Sequence, residues 1–422
     1  MKKITSILFL AATMLIGIQS AAAQRILTYD AYIKNVRDKN IEYIVEKYNV
    51  SIADANAQAA KVMPDPEFSF SYENNQDWFM QMGQAYSAEL GYTLELGGKR
   101  RARIAVARSE QQMTEALVED FFRNLRADAT LCYLATLKQK QLVGLAFSSC
   151  QSMRDLARGD SLRFALGEIA EVDAMQSRLE ATTLLTEYFQ TETEYKNMLS
   201  DLVVFEGGTE AIDSLSGRLS LVETLRATPL PSLIELAQEN RADLQAAIRG
   251  RELSAANVRL AKANRIIDLG LNIGFSHNTE ALNEEGYAPR FNAVSAGISI
   301  PLKFSNANKG ELRAAQFAKQ QTEAQYDAVL LQIRKEVEQC YNNYISACRQ
   351  AEIYKSNILA NAASILEKKK SGYVRGETSL LEVLDAQRTA NEVYQNYYET
   401  LYNANASFVE LCRAVGIWEV AF

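Results

Sequence analysis

A chain of 422 residues with 23% charged residues and a net charge of -7 has no basic surplus with which to hold a polyanion, which excludes nucleic acid as a natural partner. Six prolines and twenty glycines are too few for beads on flexible linkers, although the length allows two or three domains. Beyond residue 23 no apolar run reaches the roughly 18 residues that a helical membrane span requires, so any membrane-embedded part must be built from β-strands.

Met1-Lys2-Lys3, the apolar run from Ile4 through Ile18 and Ala21-Ala22-Ala23 form the three parts of a secretory signal peptide, so residues 1–23 are expected to be removed after Ala23. No cysteine adjoins that point, and a lipid anchor on the mature N-terminus is not expected. From Tyr29 to Met63 the apolar positions recur at helical spacing until Pro64 and Pro66 end the pattern. The period then changes to two. Phe68, Phe70 and Tyr72 alternate with polar residues, and after a loop around Asp77-Trp78-Phe79 a second alternation runs from Tyr86 to Leu96. Such a pair suits strands between lipid and water, and it equally suits an amphipathic hairpin on a soluble core.

Gly97-Gly98-Lys99-Arg100-Arg101-Ala102-Arg103 opens the next helix. Cations at a helix start oppose its dipole, so Lys99, Arg100, Arg101 and Arg103 are expected either to meet phospholipid headgroups at a membrane edge or to be solvated surface charge. The helix is expected to break at Arg158-Gly159-Asp160 and again at Gly167-Glu168, with another helix to about Val203, closed by Phe205-Glu206-Gly207-Gly208. An irregular segment to Thr228 follows, and Pro229 and Pro231 close the half.

The order then repeats. Ser232 is placed to cap a helix from Leu233 to about Ile266. Alternating segments follow at Ile267–Phe275 and Val294–Leu302, separated by a loop from His277 to Pro289. Helix resumes near Asn306 with apolar positions Tyr326, Leu330, Ile333, Val337, Tyr341, Tyr344 and Cys348 close to a heptad spacing. Reaching about Gly372, it would be roughly 100 Å long at 1.5 Å per residue, which no compact globular domain accommodates. Asn40 matches Asn240, Gly91 matches Gly297, Cys132-Tyr133 matches Cys340-Tyr341 and Gly167 matches Gly376, with offsets of 200, 206, 208 and 209. Residues 24–229 and 230–422 therefore read as two structural repeats, each a helix, a strand pair and two long helices. Four strands cannot close a membrane barrel, for which about eight is the minimum, so subunits must associate.

Gly376-Glu377-Thr378-Ser379 and its counterpart Gly167-Glu168-Ile169-Ala170 break these helices at equivalent places. Glu382 and Asp385 lie three residues apart on one face of the following helix start, where the dipole favours anions. They form either an acidic lining or a solvated turn. The five cysteines show no redox or metal-binding spacing and are expected to pack as small apolar residues. The single histidine, His277, falls in a loop with no catalytic constellation around it, and no phosphate-binding loop is present, so neither catalysis nor a cofactor is expected. A periplasmic coiled-coil adaptor would explain the long helices but not the four strands.

On the duplicated layout, Glu95-Leu96-Gly97-Gly98-Lys99-Arg100, Ile298-Ser299-Ile300-Pro301-Leu302 and Gly372-Tyr373 through Ala386, the chain resembles the TolC-type outer-membrane efflux proteins over residues 24 to 417. The resemblance implies a mainly α fold with a small β part: a duplicated coiled-coil α-barrel of long helices with four transmembrane strands per subunit, twelve in a homotrimer. It implies a passive conduit in the outer membrane, in contact with lipid there, with a long periplasmic portion opened by an adaptor and an inner-membrane pump of the resistance-nodulation-division type. Carried over by spacing, aperture positions fall on Tyr373, Glu382 and Asp385, with Asp173 as the first-half counterpart. The turn residues Gly167, Gly376, Glu377 and Thr378 fall where an adaptor would make contact. Thr378 stands where TolC itself has an arginine, so a gating salt bridge there is absent or differently built. The Leu-Gly-Gly-Lys-Arg stretch is most similar to the heavy-metal branch, whose pumps export cations; drugs or secreted polypeptides are the alternative cargo.

Overall fold

The computed structural model describes residues 25–76, 81–222, 225–226, 228–303 and 307–418. The expected signal peptide, the loop centre around Asp77-Trp78-Phe79 and the resumption of helix at Asn306 lie outside them. The described residues form two compact units, one within Ile44–Phe121 and Ala237–Lys335, the other within 25–43, Phe122–Leu236 and 336–418. Along the chain, β1 (Ile26–Leu27), α1 (Tyr29–Lys39) and α2 (Ile41–Ala59) precede β2 (Glu67–Asn74) and β3 (Gln84–Leu94). Then come α3 (Lys99–Ala165), α4 (Glu171–Glu206) and β4 (Ser214–Leu215). After α5 (Leu230–Asn240) and α6 (Ala242–Ala263) come β5 (Leu269–Asn278), β6 (Phe291–Ser299), α7 (Lys309–Ile353), a π-turn (Tyr354–Ile358), α8 (Leu359–Val374) and α9 (Leu380–Val415).

In the unit holding the sheet, the strands run β2-β3-β5-β6, antiparallel throughout. Their register carries the sequence alternation across the whole sheet. Phe70, Ala88, Phe275 and Val294 form one row, and Phe68, Leu90, Ile273 and Ala296 the next. The opposite face carries Ser69, Glu89, Gly274 and Ser295 in one row, with the Asn272 amide donating to Glu89 Oε1 at 2.6 Å. Because side chains alternate faces, a slip of one residue in any strand would mix these two surfaces. The apolar face is open to solvent in the single subunit, Val294 being 77% exposed. His277, expected in a loop, belongs to β5 and pairs with Tyr86 and Asn292.

The other unit is helical. Among the described residues, one apolar cluster within it joins Ala127, Leu134, Leu219, Ala351, Leu401, Ala404 and Val409. Another joins Cys150, Met153, Ala157, Ala181, Leu184, Tyr373, Leu380, Val383 and Leu384. A short parallel pair, β1 with β4, ties the start of the described chain to the segment after α4. Gly207 ends α4 at φ 66; a Cβ there would collide with the Lys39 carbonyl, so only glycine lets the two backbones approach.

Four boundaries differ from the sequence reading. The expected helix Tyr29–Met63 divides at Asn40, which leaves helical geometry (ψ 125); its amide donates to Phe205 O at 2.9 Å and its Oδ1 accepts from Tyr43 N at 2.9 Å. The matching helix divides at Arg241, ahead of α6, and begins at Leu230 instead of Leu233. Pro231 is tolerated because the first-turn N–H groups have no intrahelical partner. α3 passes through Gly159 without a break, since one glycine costs a helix only about 1 kcal/mol. The helix after residue 308 is interrupted at Tyr354–Ile358, where the hydrogen bonding widens to a π-turn.

Candidate gating site at the helical turns

The two helix-to-helix turns close in the same way. At the first, Gly167 N donates to Phe164 O at 2.9 Å and Glu168 N to Arg163 O at 2.8 Å; at the second, Gly376 N donates to Tyr373 O at 3.0 Å and Glu377 N to Gly372 O at 2.8 Å. Both glycines are left-handed, with φ 78 and 77, a conformation that terminates helices and is strained for other residues. The next helix starts differently in each. Ser379 Oγ accepts from Glu382 N at 3.3 Å, whereas Ala170 occupies the corresponding cap with no side-chain bond.

Tyr373, at the end of α8, is buried and donates its hydroxyl to Asp160 Oδ1 at 2.9 Å. Asp160 is 1% exposed, and its Oδ2 has no hydrogen-bond partner among the described residues. The Arg163 guanidinium lies over the Tyr373 ring, 5.2 Å from its centroid. Burial, the bond to Asp160 and the charges of Asp160 and Asp173 all push the phenol well above its ordinary pKa. Tyr373 is therefore a neutral donor holding α8 to α3. The sequence reading did not single out Asp160. Its signal was available, because Met153, Ala157 and Asp160 are all buried at 4-3 spacing, and a carboxylate within an apolar stripe must have a partner.

The acidic pair stands apart from that tie. Glu382 forms an ion pair with Lys369, and the bond from Lys369, with the Ser379 cap, holds its carboxyl below the usual range. Asp385 lines a cleft of about 170 Å³ with Lys369, Glu382, Ala362, Ile365 and Thr389. The carboxylates thus face a cation on their own hairpin, which spacing from the glycine did not anticipate. Thr378 donates to Lys369 O at 3.0 Å and packs on Gly372, where an added Cβ would lie 3.1 Å from it. Glu377 pairs with Arg375 at 2.7 Å. Arg388 on α9 reaches Glu180 on α4 at 3.1 Å.

In the sheet unit, the basic run at the start of α3 meets internal partners before any lipid. Lys99 is buried against Asp268 at 2.6 Å. Arg100 donates to Lys61 O at 2.8 Å, and Arg103 to both Glu95 oxygens and to Ala60 O and Val62 O. Those carbonyls sit at or just past the end of α2, where acceptors lack intrahelical donors and the dipole favours cations. Arg101 alone of the four is exposed.

Residues 233–417 match the family model for outer membrane efflux proteins. The cobalt-zinc-cadmium resistance protein CzcC of Cupriavidus metallidurans is 23% identical over 390 residues, covering 92% of this chain and 90% of its own. Both matches are to the TolC-type outer-membrane efflux proteins, which this chain resembles over nearly its whole length. TolC of Vibrio cholerae is 25% identical over 284 residues, 61% of this chain and 64% of its own. Among solved structures the fold is shared with CusC (TM-score 0.76, 17% identity, 95% of this chain and 96% of that one) and with the outer-membrane channel OprN (TM-score 0.74, 16% identity, 92% and 89%). The family match, the similarity to CzcC and the shared mainly helical fold with its small sheet together support an outer-membrane efflux channel with a long periplasmic portion.

Proposed function

We propose that this channel is the exit duct for metal cations in a tripartite efflux system, working as a homotrimer with a periplasmic adaptor and an inner-membrane pump of the resistance-nodulation-division type. The similarity to CzcC across nine-tenths of both chains carries the reading. The sheet supports it: the charged residues of β2, β3, β5 and β6 are Glu67, Glu73 and Glu89, all on the polar face, with no lysine or arginine on any of the four strands. A polar face lined only by carboxylates attracts cations and disfavours anions. Four strands with two open edges favour closure by three copies.

In this reading residues 24–229 and 230–422 are repeats behind a signal peptide of residues 1–23. Tyr373, Asp160 and Asp173 hold the closed aperture, and Glu382 and Asp385 form rings under three-fold symmetry. Gly167, Gly376, Glu377 and Thr378 lie where an adaptor docks, and Arg101 faces lipid headgroups. A deletion strain tests the cargo. Greater sensitivity to cobalt, zinc, cadmium or copper, restored by the full-length gene, is expected; unchanged metal sensitivity with lost drug resistance would replace metal cations with drugs.

A further inference from the structure

The two long helices do not reach their turns over equal lengths. Ala129 and Thr136 are buried on α3, and Val337 and Tyr344 are buried on α7 at an offset of 208; Cys132-Tyr133 and Cys340-Tyr341 keep the same offset. At the turns, Arg163, Phe164 and Gly167 correspond to Gly372, Tyr373 and Gly376 through identical hydrogen bonds, at an offset of 209. One more residue therefore lies between Tyr344 and Gly372 than between Thr136 and Arg163. The π-turn at Tyr354–Ile358 falls inside that interval, while the matching residues 146–150 are unbroken α-helix.

We infer that the π-turn is a one-residue insertion that serves as the pivot of the second hairpin, an inference that rests on the aperture reading above. A π-turn absorbs an extra residue in one widened turn, so the side chains beyond it keep their facing. This explains why Tyr373 still reaches Asp160. On its N-terminal side the helix is fixed: Ala351 is buried, and Glu352 accepts from Arg226 Nη2 at 3.2 Å. The π-turn itself buries no residue. Beyond it α8 is held by Ala362, by Tyr373 on Asp160 and by Lys369 on Glu382. Wide hydrogen bonding between two anchored segments is where a long helix bends most easily. The first hairpin lacks this device, its residues 146–150 being unbroken α-helix, so the bend is placed at Tyr354–Ile358 and not at the equivalent point of α3.

Hydrogen exchange on the wild-type trimer tests the pivot without mutation: amides 354–358 should exchange at least about tenfold faster than amides 146–150, and equal protection would overturn the inference. Deleting Ser356 should turn the interruption into continuous α-helix while keeping the facing of Tyr373. The deletion should suppress the leak of a Tyr373→Phe channel and lower metal resistance in a complemented strain. A Tyr373→Phe leak that persists undiminished in the deletion overturns the pivot but leaves the aperture reading standing. No leak from Tyr373→Phe itself removes the aperture reading instead.

Discussion

Tyr373 donates to Asp160 at 2.9 Å across 213 positions of sequence, a buried bond that ties the second helical turn to the first hairpin beside the apolar cluster and the Lys370–Ser152 contact. The acceptor is buried with no other donor to either oxygen among the described residues. Replacing Tyr373 with Phe keeps the ring and its apolar contacts but strands a buried carboxylate, a loss of about 1–3 kcal/mol. The expected result is a channel with higher conductance in bilayers and a host more sensitive to large antibiotics. Unchanged conductance and sensitivity would show that this bond does not hold the aperture.

The ion pair between Lys369 and Glu382 gives a different expectation. The pair is exposed on both sides, so Lys369→Ala should leave the melting temperature nearly unchanged. It should, however, strip the acidic lining of its neighbouring cation. Reversal potentials across a salt gradient should then shift toward greater cation preference, and Glu382→Gln should shift them the other way. Replacing Glu382 and Asp385 together with alanine should raise leakage. Identical reversal potentials in the single variants would place these carboxylates away from the conduction path.

The chain's architecture was legible because its signals are long-range and periodic. Alternation at Phe68–Tyr72 and again at Tyr86–Leu96 predicts strands, and the observed register, with Phe70 opposite Ala88 and Phe275 opposite Val294, gathers Phe68, Phe70, Leu90, Ile273, Phe275 and Val294 on one face. The glycines at 167 and 376 mark both turns because a left-handed residue must end each helix. What escaped the sequence depends on contacts made far along the chain. Asn40 breaks its helix by capping Tyr43 N locally and by giving its amide to Phe205 O, a partner 165 positions away. Asp160 becomes meaningful only once Tyr373 is packed against it. Arg100 and Arg103 read as either lipid-facing or solvated because the carbonyls of residues 60–62 are invisible as acceptors until the fold brings them close.

Alkaline pH should loosen the helical unit through Tyr29. This phenol is packed edge-on against Tyr133, with ring centroids 5.4 Å apart, and shares a hydrogen bond with Thr130 at 3.0 Å. Burial pushes its pKa up from 10.0 to about 12. Below pH 10 both folded and unfolded chains hold the proton and stability is complete. Between about 10 and 12 only the unfolded chain ionises, so stability falls as pH rises, by up to about 3 kcal/mol for the whole shift. Melting temperatures measured from pH 9 to 11.5 should decline, and Tyr29→Phe should flatten the decline. A slope untouched by that substitution would assign the alkaline loss to other groups.

The junction beside the sheet offers a separation between structural and lipid-facing cations. Arg103 makes two bonds to Glu95, at 2.7 and 3.2 Å, and two more to the carbonyls of Ala60 and Val62. Its side chain is about one-third exposed, so solvent screens part of that energy and Arg103→Ala should cost about 1 kcal/mol. Lys99→Ala leaves Asp268 with only the Leu96 N–H and should also lower the urea midpoint of the folded trimer. Arg101 has no such internal load, and Arg101→Ala should leave the midpoint alone while weakening association with vesicles containing anionic phospholipid. Salt should weaken the wild-type association in the same manner, because exposed charges are screened over about 10 Å at 0.1 M. If Arg101→Ala binds those vesicles as well as the wild type, the headgroup contact belongs to none of the four cations, and their purpose is to fasten α3 to the end of α2.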